Sequence, residues 1–310
     1  MMFPTLSYQL AYRYPDFRTL LVEKLRENPS IARESFETQL TTLLIEPLKA
    51  TKHSMVIVID ALDECRETKS TSTILSMLYR HVDSIPSVKW LITSRPEPAI
   101  RKGFRLDPDQ LITDIMVLHD VDSHEVDKDI ELYLRTRLQE ASKDRSDTNL
   151  PTPWPTDDDI HALTAKAGQL FVFAATAVAY VLSTIHQPAK RLVTLINMDS
   201  SDGVKGIDLL YTKVLETGYS SMDMDMDDYA LLRKVLASIV LAFNPLSRED
   251  LSLLLEVQAD EIASILRPLH SVLKIPSDPT VPIGIHHRSF TDYLSSSKRC
   301  RNANFFVDPE

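Results

Sequence analysis

Three carboxylates follow a single apolar run. In "MVIVIDALDEC" (residues 55–65), five apolar residues lead into Asp60, and Asp63 and Glu64 follow within one turn. Carboxylates delivered to the end of a buried strand are hard oxygen ligands, able to hold magnesium directly or through water. A further acid three or four residues on, Asp63 or Glu64, is placed to polarise an attacking water. The competing reading is an acidic turn that caps the following helix. A second run, "VKWLITSRP" (residues 88–96), ends in Ser94 and Arg95. Arginine at a strand end can read a terminal phosphate and report its loss; alternatively Arg95 pairs with Asp63 or Glu64, which itself requires the two strand ends to be neighbours.

The phosphate-binding partner of such an acidic site is a loop of pattern Gly-x-x-x-x-Gly-Lys-Ser/Thr, whose backbone amides wrap the phosphates. The six glycines are Gly103, Gly168, Gly203, Gly206, Gly218 and Gly284; none precedes a lysine and no two stand in that frame. A hydrolase built on a carboxylate pair, Asp60 with Glu64, lacks the aromatic platform that sugars need, since aromatic residues make up 7% of the chain and are scattered.

The elements that must position these residues follow from periodicity. "FPTLSYQLAYRY", "DFRTLLVEKLRENP" and "SFETQLTTLLIEPLK" have helical spacing, punctuated by Pro15, Pro29 and Pro47. "SMVIVIDA" is a continuous β-branched run, the mark of a strand buried on both faces of a parallel sheet. A helix over "STSTILSMLYRHVDSI", the strand "VKWLITSRP", a short helix near Ala99 and a third strand over residues 112–118 complete an α/β sheet. In such sheets chemistry gathers beyond the carboxyl ends of the strands, where Asp60 and Arg95 lie.

Beyond residue 122 the pattern is helical. "SHEVDKDIELYLRTRLQEA" takes Ser123 as its cap, and after the loop "NLPTPWPTDDD" a helix begins at Asp157 and runs through Ala167 toward Ser183. "PAKRLVTLINM" and "IDLLYTKVLETGY" add two more helices. "SSMDMDMDD" lacks the glycine and glutamate of a calcium loop and reads as a solvated acidic linker. Three further helices follow, one with a Ser247–Asp250 capping box. A hairpin over "KIPSDPTVPIGIHH" and a last helix over "SFTDYLSSS" complete a winged-helix pattern.

The bulk numbers set limits. A net charge of −10 excludes a general nucleic-acid or anionic-membrane surface, and the basic "SKRCR" (residues 297–301) reads as a solvated helix end. No basic-then-apolar leader opens the chain, and "LFVFAATAVAYVLSTI" is shorter than the roughly 20 residues of a bilayer span, so a cytoplasmic protein is expected. Two distant cysteines, Cys65 and Cys300, fit a reducing compartment.

Taken together, "VIVIDALDEC", "LITSRPEP" and "DIELYL" resemble, in this order, the NACHT-type P-loop ATPases of the STAND signalling class, in their nephrocystin-like branch abundant in fungi. "FPTLSYQLA" is similar to the helix after the phosphate loop, "AGQLFVFAATA" to a helical motif near the nucleotide base, and "IHHRSFTDYL" to the winged-helix histidine motif. The resemblance implies Asp60 as the magnesium ligand of a Walker B strand, with Asp63 and Glu64 as the water-activating pair. It further implies Arg95 as the phosphate sensor, Gly168 at the turn beside adenine and His287 as the contact to a diphosphate. His286 and His287 also read as ordinary residues at a strand end.

The expected architecture is α/β: an incomplete P-loop NTPase sheet over residues 1–120, a helical subdomain over 121–225 and a winged-helix domain over 226–310. The Walker A loop of the resembled class would lie upstream of residue 3, which makes the chain a fragment or a degenerate member, with apolar sheet surface uncovered. Two functions follow. In the first, ATP or ADP with magnesium sets the arrangement of sheet and winged helix and so controls oligomerisation. In the second, the chain is a non-enzymatic scaffold without nucleotide, whose partners are other protein domains or copies of itself.

Overall fold

The computed structural model describes residues 2–65, 68–104, 114–118, 122–144, 150–151, 153–183, 187–198, 206–220 and 222–309. The chain divides into two compact units, Met1–Ile115 and Met116–Glu310, each with its own apolar core.

The first unit opens with α1 (Met2–Arg13), α2 (Pro15–Glu27), α3 (Phe36–Leu40) and α4 (Glu46–Thr51). Pro15 begins α2 at a position whose N–H has no helical partner to lose. Ser35 caps α3 by accepting the Thr38 N–H. The π-helical stretch Thr41–Ile45 joins α3 to α4. Its consecutive Leu43, Leu44 and Ile45 are all buried. Three successive helical side chains cannot share one narrow stripe, so this stretch is packed on more than one side.

β1 (Met55–Ile59) and β2 (Val88–Ile92) pair in parallel, with Met55 opposite Val88 and Ile59 opposite Ile92. α5 (Thr68–His81) connects them and α6 (Pro98–Phe104) packs on α5. Ile57, Ile59 and Val88 point into the core. Burial on both faces, the expectation for "SMVIVIDA", does not form: Val56 and Val58 are 61% and 54% exposed, and Leu91 is 54% exposed on the same face. Parallel strands are covered twice only where helices lie on both faces, and apolar composition alone does not count the helices. Of the third strand expected over 112–118, residues 112 and 113 lie outside the described residues, while 114–118 form no strand and carry exposed Ile115, Met116 and Leu118.

The second unit begins with α7 (Ser123–Asp144). Its cap is Asp122, whose carboxylate accepts the His124 N–H at 2.9 Å, rather than Ser123. α8 (Asp157–Ala167) starts with a reciprocal capping box of Thr156 and Asp159. The expected continuation toward Ser183 is interrupted: Gly168 turns left-handed at φ 52° and ends α8, and α9 (Phe171–Leu182) starts afresh as the buried apolar helix. α10 (Pro188–Ile196) and α11 (Gly206–Tyr219) follow.

α12 (Met226–Leu241) rises directly out of the acidic stretch, because Asp225 and Asp228 form a capping box there. What reads as a solvated linker is therefore partly a helix start, stabilised by carboxylates at the positive end of the helix dipole. α13 (Arg248–Leu255) carries the Ser247–Asp250 box legible in the sequence, and α14 (Ala259–Leu266) follows. β3 (Leu273–Lys274) pairs antiparallel with β4 (Gly284–Ile285), the expected short hairpin, before α15 (Arg288–Leu294). One core runs through this unit: Tyr211 of α11 meets Phe290 of α15 edge-on, with ring centroids 5.1 Å apart. Among the described residues no helix is long and apolar enough to cross a membrane.

"SKRCR" corrects a further expectation, since residues 297–299 form a turn whose Arg299 reaches a buried carboxylate. Its Nε and Nη2 donate to the Asp208 carboxylate at 3.1 and 2.6 Å, and Asp208 is only 4% exposed. Removing the cation leaves a buried, unpaired carboxylate. Arg299→Met should therefore lower stability by about 3 kcal/mol, read as a fall in the urea midpoint. Adding Asp208→Leu to it should recover most of the loss, because the carboxylate is then gone as well.

Candidate functional site

The parallel register carries on past the last paired residues. Ile59 lies opposite Ile92, so Asp60 falls beside Thr93, and alternation puts Asp60 on the open face that Val56 and Val58 line. Thr93 ties this corner together. Its N–H donates to the Ile59 carbonyl at 3.0 Å, its carbonyl accepts the Leu62 N–H at 3.0 Å, and its Oγ1 accepts the Ala61 N–H at 2.9 Å. The Thr93 hydroxyl proton goes to Asp60 Oδ1. That bond occupies one carboxylate oxygen of an otherwise exposed side chain.

Between Asp60 and Leu62 the chain turns through Ala61 in the left-handed region, at φ 52° and ψ 51°. A residue with a Cβ pays for that conformation. The turn breaks strand alternation and starts the 3₁₀ segment Leu62–Glu64. As a result Leu62 and Asp63 are buried, while Glu64 is exposed. Asp63 reaches the end of β2: its Oδ1 accepts the Arg95 N–H at 3.0 Å and lies 3.4 Å from Ser94 Oγ, and its Oδ2 is 3.6 Å from Arg95 Nε. The Arg95 side chain keeps 40% of its surface exposed.

Asp60, Asp63, Glu64 and Arg95 thus share one corner. Thr93 was not singled out from the sequence; the signal available was a hydroxyl residue in the first position after β2, and its use depends on register. Pairing of Arg95 with Asp63, one of the two sequence readings, is what forms, and it brings the two strand ends together as that reading required.

The chemistry of these residues can be set against magnesium. Among the described residues no group of three or more His, Cys, Asp or Glu side chains could hold a metal ion. An all-protein cage is therefore not what this corner offers. A hydrated magnesium held by one carboxylate, with phosphate oxygens completing the shell, asks only for an exposed acid with a lone oxygen to give. Asp60 fits that role, and the phosphate half is not supplied by any Gly-x-x-x-x-Gly-Lys-Ser/Thr in the chain.

Gly168 and His287 belong to the second unit. Gly168 is the left-handed stop of α8, and a Cβ there would meet no atom within 4 Å, so backbone conformation rather than space asks for glycine. His287 caps α15: its Nδ1 accepts the Ser289 N–H at 3.1 Å. An accepting Nδ1 is unprotonated, so in the neutral ring the proton sits on Nε2. Ser289 Oγ lies 2.7 Å from that Nδ1 and 2.7 Å from the Tyr211 hydroxyl. Burial pushes the Tyr211 phenol above its ordinary range and keeps it protonated. His286 stands at the neighbouring position with its Nε2 3.3 Å from the His270 carbonyl.

A family model described as "Nephrocystin 3, N-terminal" matches residues 1–95. The matched segment holds α1 to α4, both strands of the parallel sheet and every residue of the corner through Arg95. Comparisons with curated proteins and with solved structures find no match.

Two substitutions test the corner. Thr93→Val keeps shape but removes both hydroxyl bonds. It should cost about 1 kcal/mol and speed exchange of the Ala61 amide, whereas Thr93→Ser should retain protection. Ala61→Gly relieves the left-handed turn, an advantage of about 1–2 kcal/mol reduced by about 0.4–1 kcal/mol of added unfolded-state freedom. A rise in the urea midpoint is expected for it, and a clear fall for the β-branched Ala61→Val.

Proposed function

We propose that the first unit is the cation-and-sensor half of a nucleotide-dependent signalling switch of the NACHT type. Asp60 serves as the magnesium ligand, and Arg95 meets the terminal phosphate. The observation that carries this reading is the shared corner: an exposed acid at the end of β1 and a half-exposed arginine just past β2 stand on adjacent parallel strands, tied through Thr93 and Asp63. The similarity of residues 1–95 to the nephrocystin 3 N-terminal region supports it. Magnesium, when bound, neutralises charge on the phosphates; Asp60 holds it and Arg95 reads the oxygens of the last phosphate.

On this proposal residues 121–225 and 226–310 act as the helical subdomain and the winged helix. The hairpin β3–β4 between α14 and α15 supports the latter assignment. Gly168 lies at the base-proximal turn, and His287 offers Nε2–H toward a diphosphate. Nucleotide state then controls association with copies of the chain or with other protein domains. A second reading, a scaffold that binds no nucleotide, is favoured by one observation, the lack of any glycine-lysine phosphate loop in the chain.

Titration of the chain with magnesium and a fluorescent ATP analogue separates the two. The switch reading expects binding weaker than roughly 10 µM, about −7 kcal/mol, because the phosphate cradle is missing. It also expects that residual binding to fall further in both Asp60→Ala and Arg95→Ala. Binding that neither substitution changes, or no binding at millimolar ligand, overturns it in favour of the scaffold.

A further inference from the structure

The two acids after Ala61 are chemically alike and differ in what surrounds them. A 3₁₀ turn rotates successive side chains by about 120°, so Leu62–Glu64 cannot present Asp63 and Glu64 to the same side. Asp63 is 7% exposed and turned toward the end of β2, and Glu64 is exposed. The Asp63 carboxylate takes the Arg95 backbone N–H at 3.0 Å with one oxygen and stands 3.6 Å from Arg95 Nε with the other. A carboxylate committed in this way holds the Arg95 backbone by a hydrogen bond and pairs with Nε, while 40% of the Arg95 side-chain surface stays exposed.

We infer that Asp63 is a positioning residue for Arg95, holding its backbone and setting the guanidinium toward an anionic oxygen. This rests on the nucleotide-switch reading of the same corner. Asp63 acts through Arg95 by holding it, and the exposed Glu64 takes no part in that clasp.

The test uses the intact chain labelled with ¹⁵N-arginine, the Arg95 signals being assigned by their loss in Arg95→Lys. Asp63→Ala should speed exchange of the Arg95 amide by roughly tenfold or more, the loss expected for a hydrogen bond to a charged acceptor. Asp63→Asn, which keeps an acceptor oxygen, should rescue that protection while still shifting the Arg95 Nε–H resonance. Glu64→Gln should leave both signals where they are. Inorganic pyrophosphate with magnesium should move the Nε–H resonance in the parent chain, and Asp63→Ala should weaken that response about tenfold. Unchanged Arg95 signals in Asp63→Ala, in a protein that still unfolds cooperatively, overturn the inference. A lost clasp in Asp63→Ala with no pyrophosphate response in the parent chain overturns the nucleotide reading instead, and leaves Asp63 as the residue that holds Arg95.

Discussion

The candidate site depends on one constraint, the stitching of the end of β1 to the end of β2. Two parallel strands of five residues each are a small sheet, and with one face open they have little packing to keep their ends in register. Thr93 and Asp63 supply what packing does not. Thr93 bonds to Ile59, Asp60, Ala61 and Leu62 in succession, and Asp63 closes over Arg95. These are hydrogen bonds to backbone and to charge, directional interactions that hold residues at set distances, where apolar burial holds them only near one another. The stitches hold Asp60 and Arg95 at the neighbouring ends of the two strands.

The stitches also explain why a strained residue is kept at the corner. Ala61 must be left-handed for Leu62 to drop into the core and for Asp63 to turn toward β2. A strand continuing straight would place Leu62 with Val56 and Val58 on the open face and would carry Asp63 away from Arg95. The cost of the turn is of order 1–2 kcal/mol, and it is offset by burial of Leu62 and by three hydrogen bonds to Thr93 from residues 60 to 62. Strain at this point thus separates two neighbouring carboxylates into one that structures the site and one that faces water.

Much of this was legible in the sequence, and what was not has a physical reason. Periodicity marks the helices well, and capping chemistry marks Ser247 with Asp250 because both residues of the box lie within one turn. The strands and their acids are equally plain from "VIVID" and "WLIT". Thr93, by contrast, acts through register, a relation between segments more than 30 residues apart that no local pattern encodes. The left turn at Ala61 carries no glycine to announce it. Burial of Asp63 runs against the usual exposure of acids, and the pairing of Arg299 escapes the sequence for a similar reason, since a basic run is read as solvated unless its buried partner, here Asp208, is known.

The open face bears on how far the proposed switch can be carried by this chain. Val56, Val58 and Leu91 present apolar surface that leads directly to Asp60, so the acid stands at the edge of a surface suited to being covered. On the proposed switch reading, a phosphate cradle seated there would bury the valines and cover Asp60, gaining apolar contact and excluding water from the acid in one step. A scaffold partner would gain the apolar term alone, with nothing to recommend the Asp60 end of the face over the other. The proposed switch thus gives the acid at the edge of the uncovered face a use that the scaffold reading does not. On the proposed switch reading, Asp63 and Thr93 would hold the charged corner before an occupant arrives, lowering the ordering cost of binding.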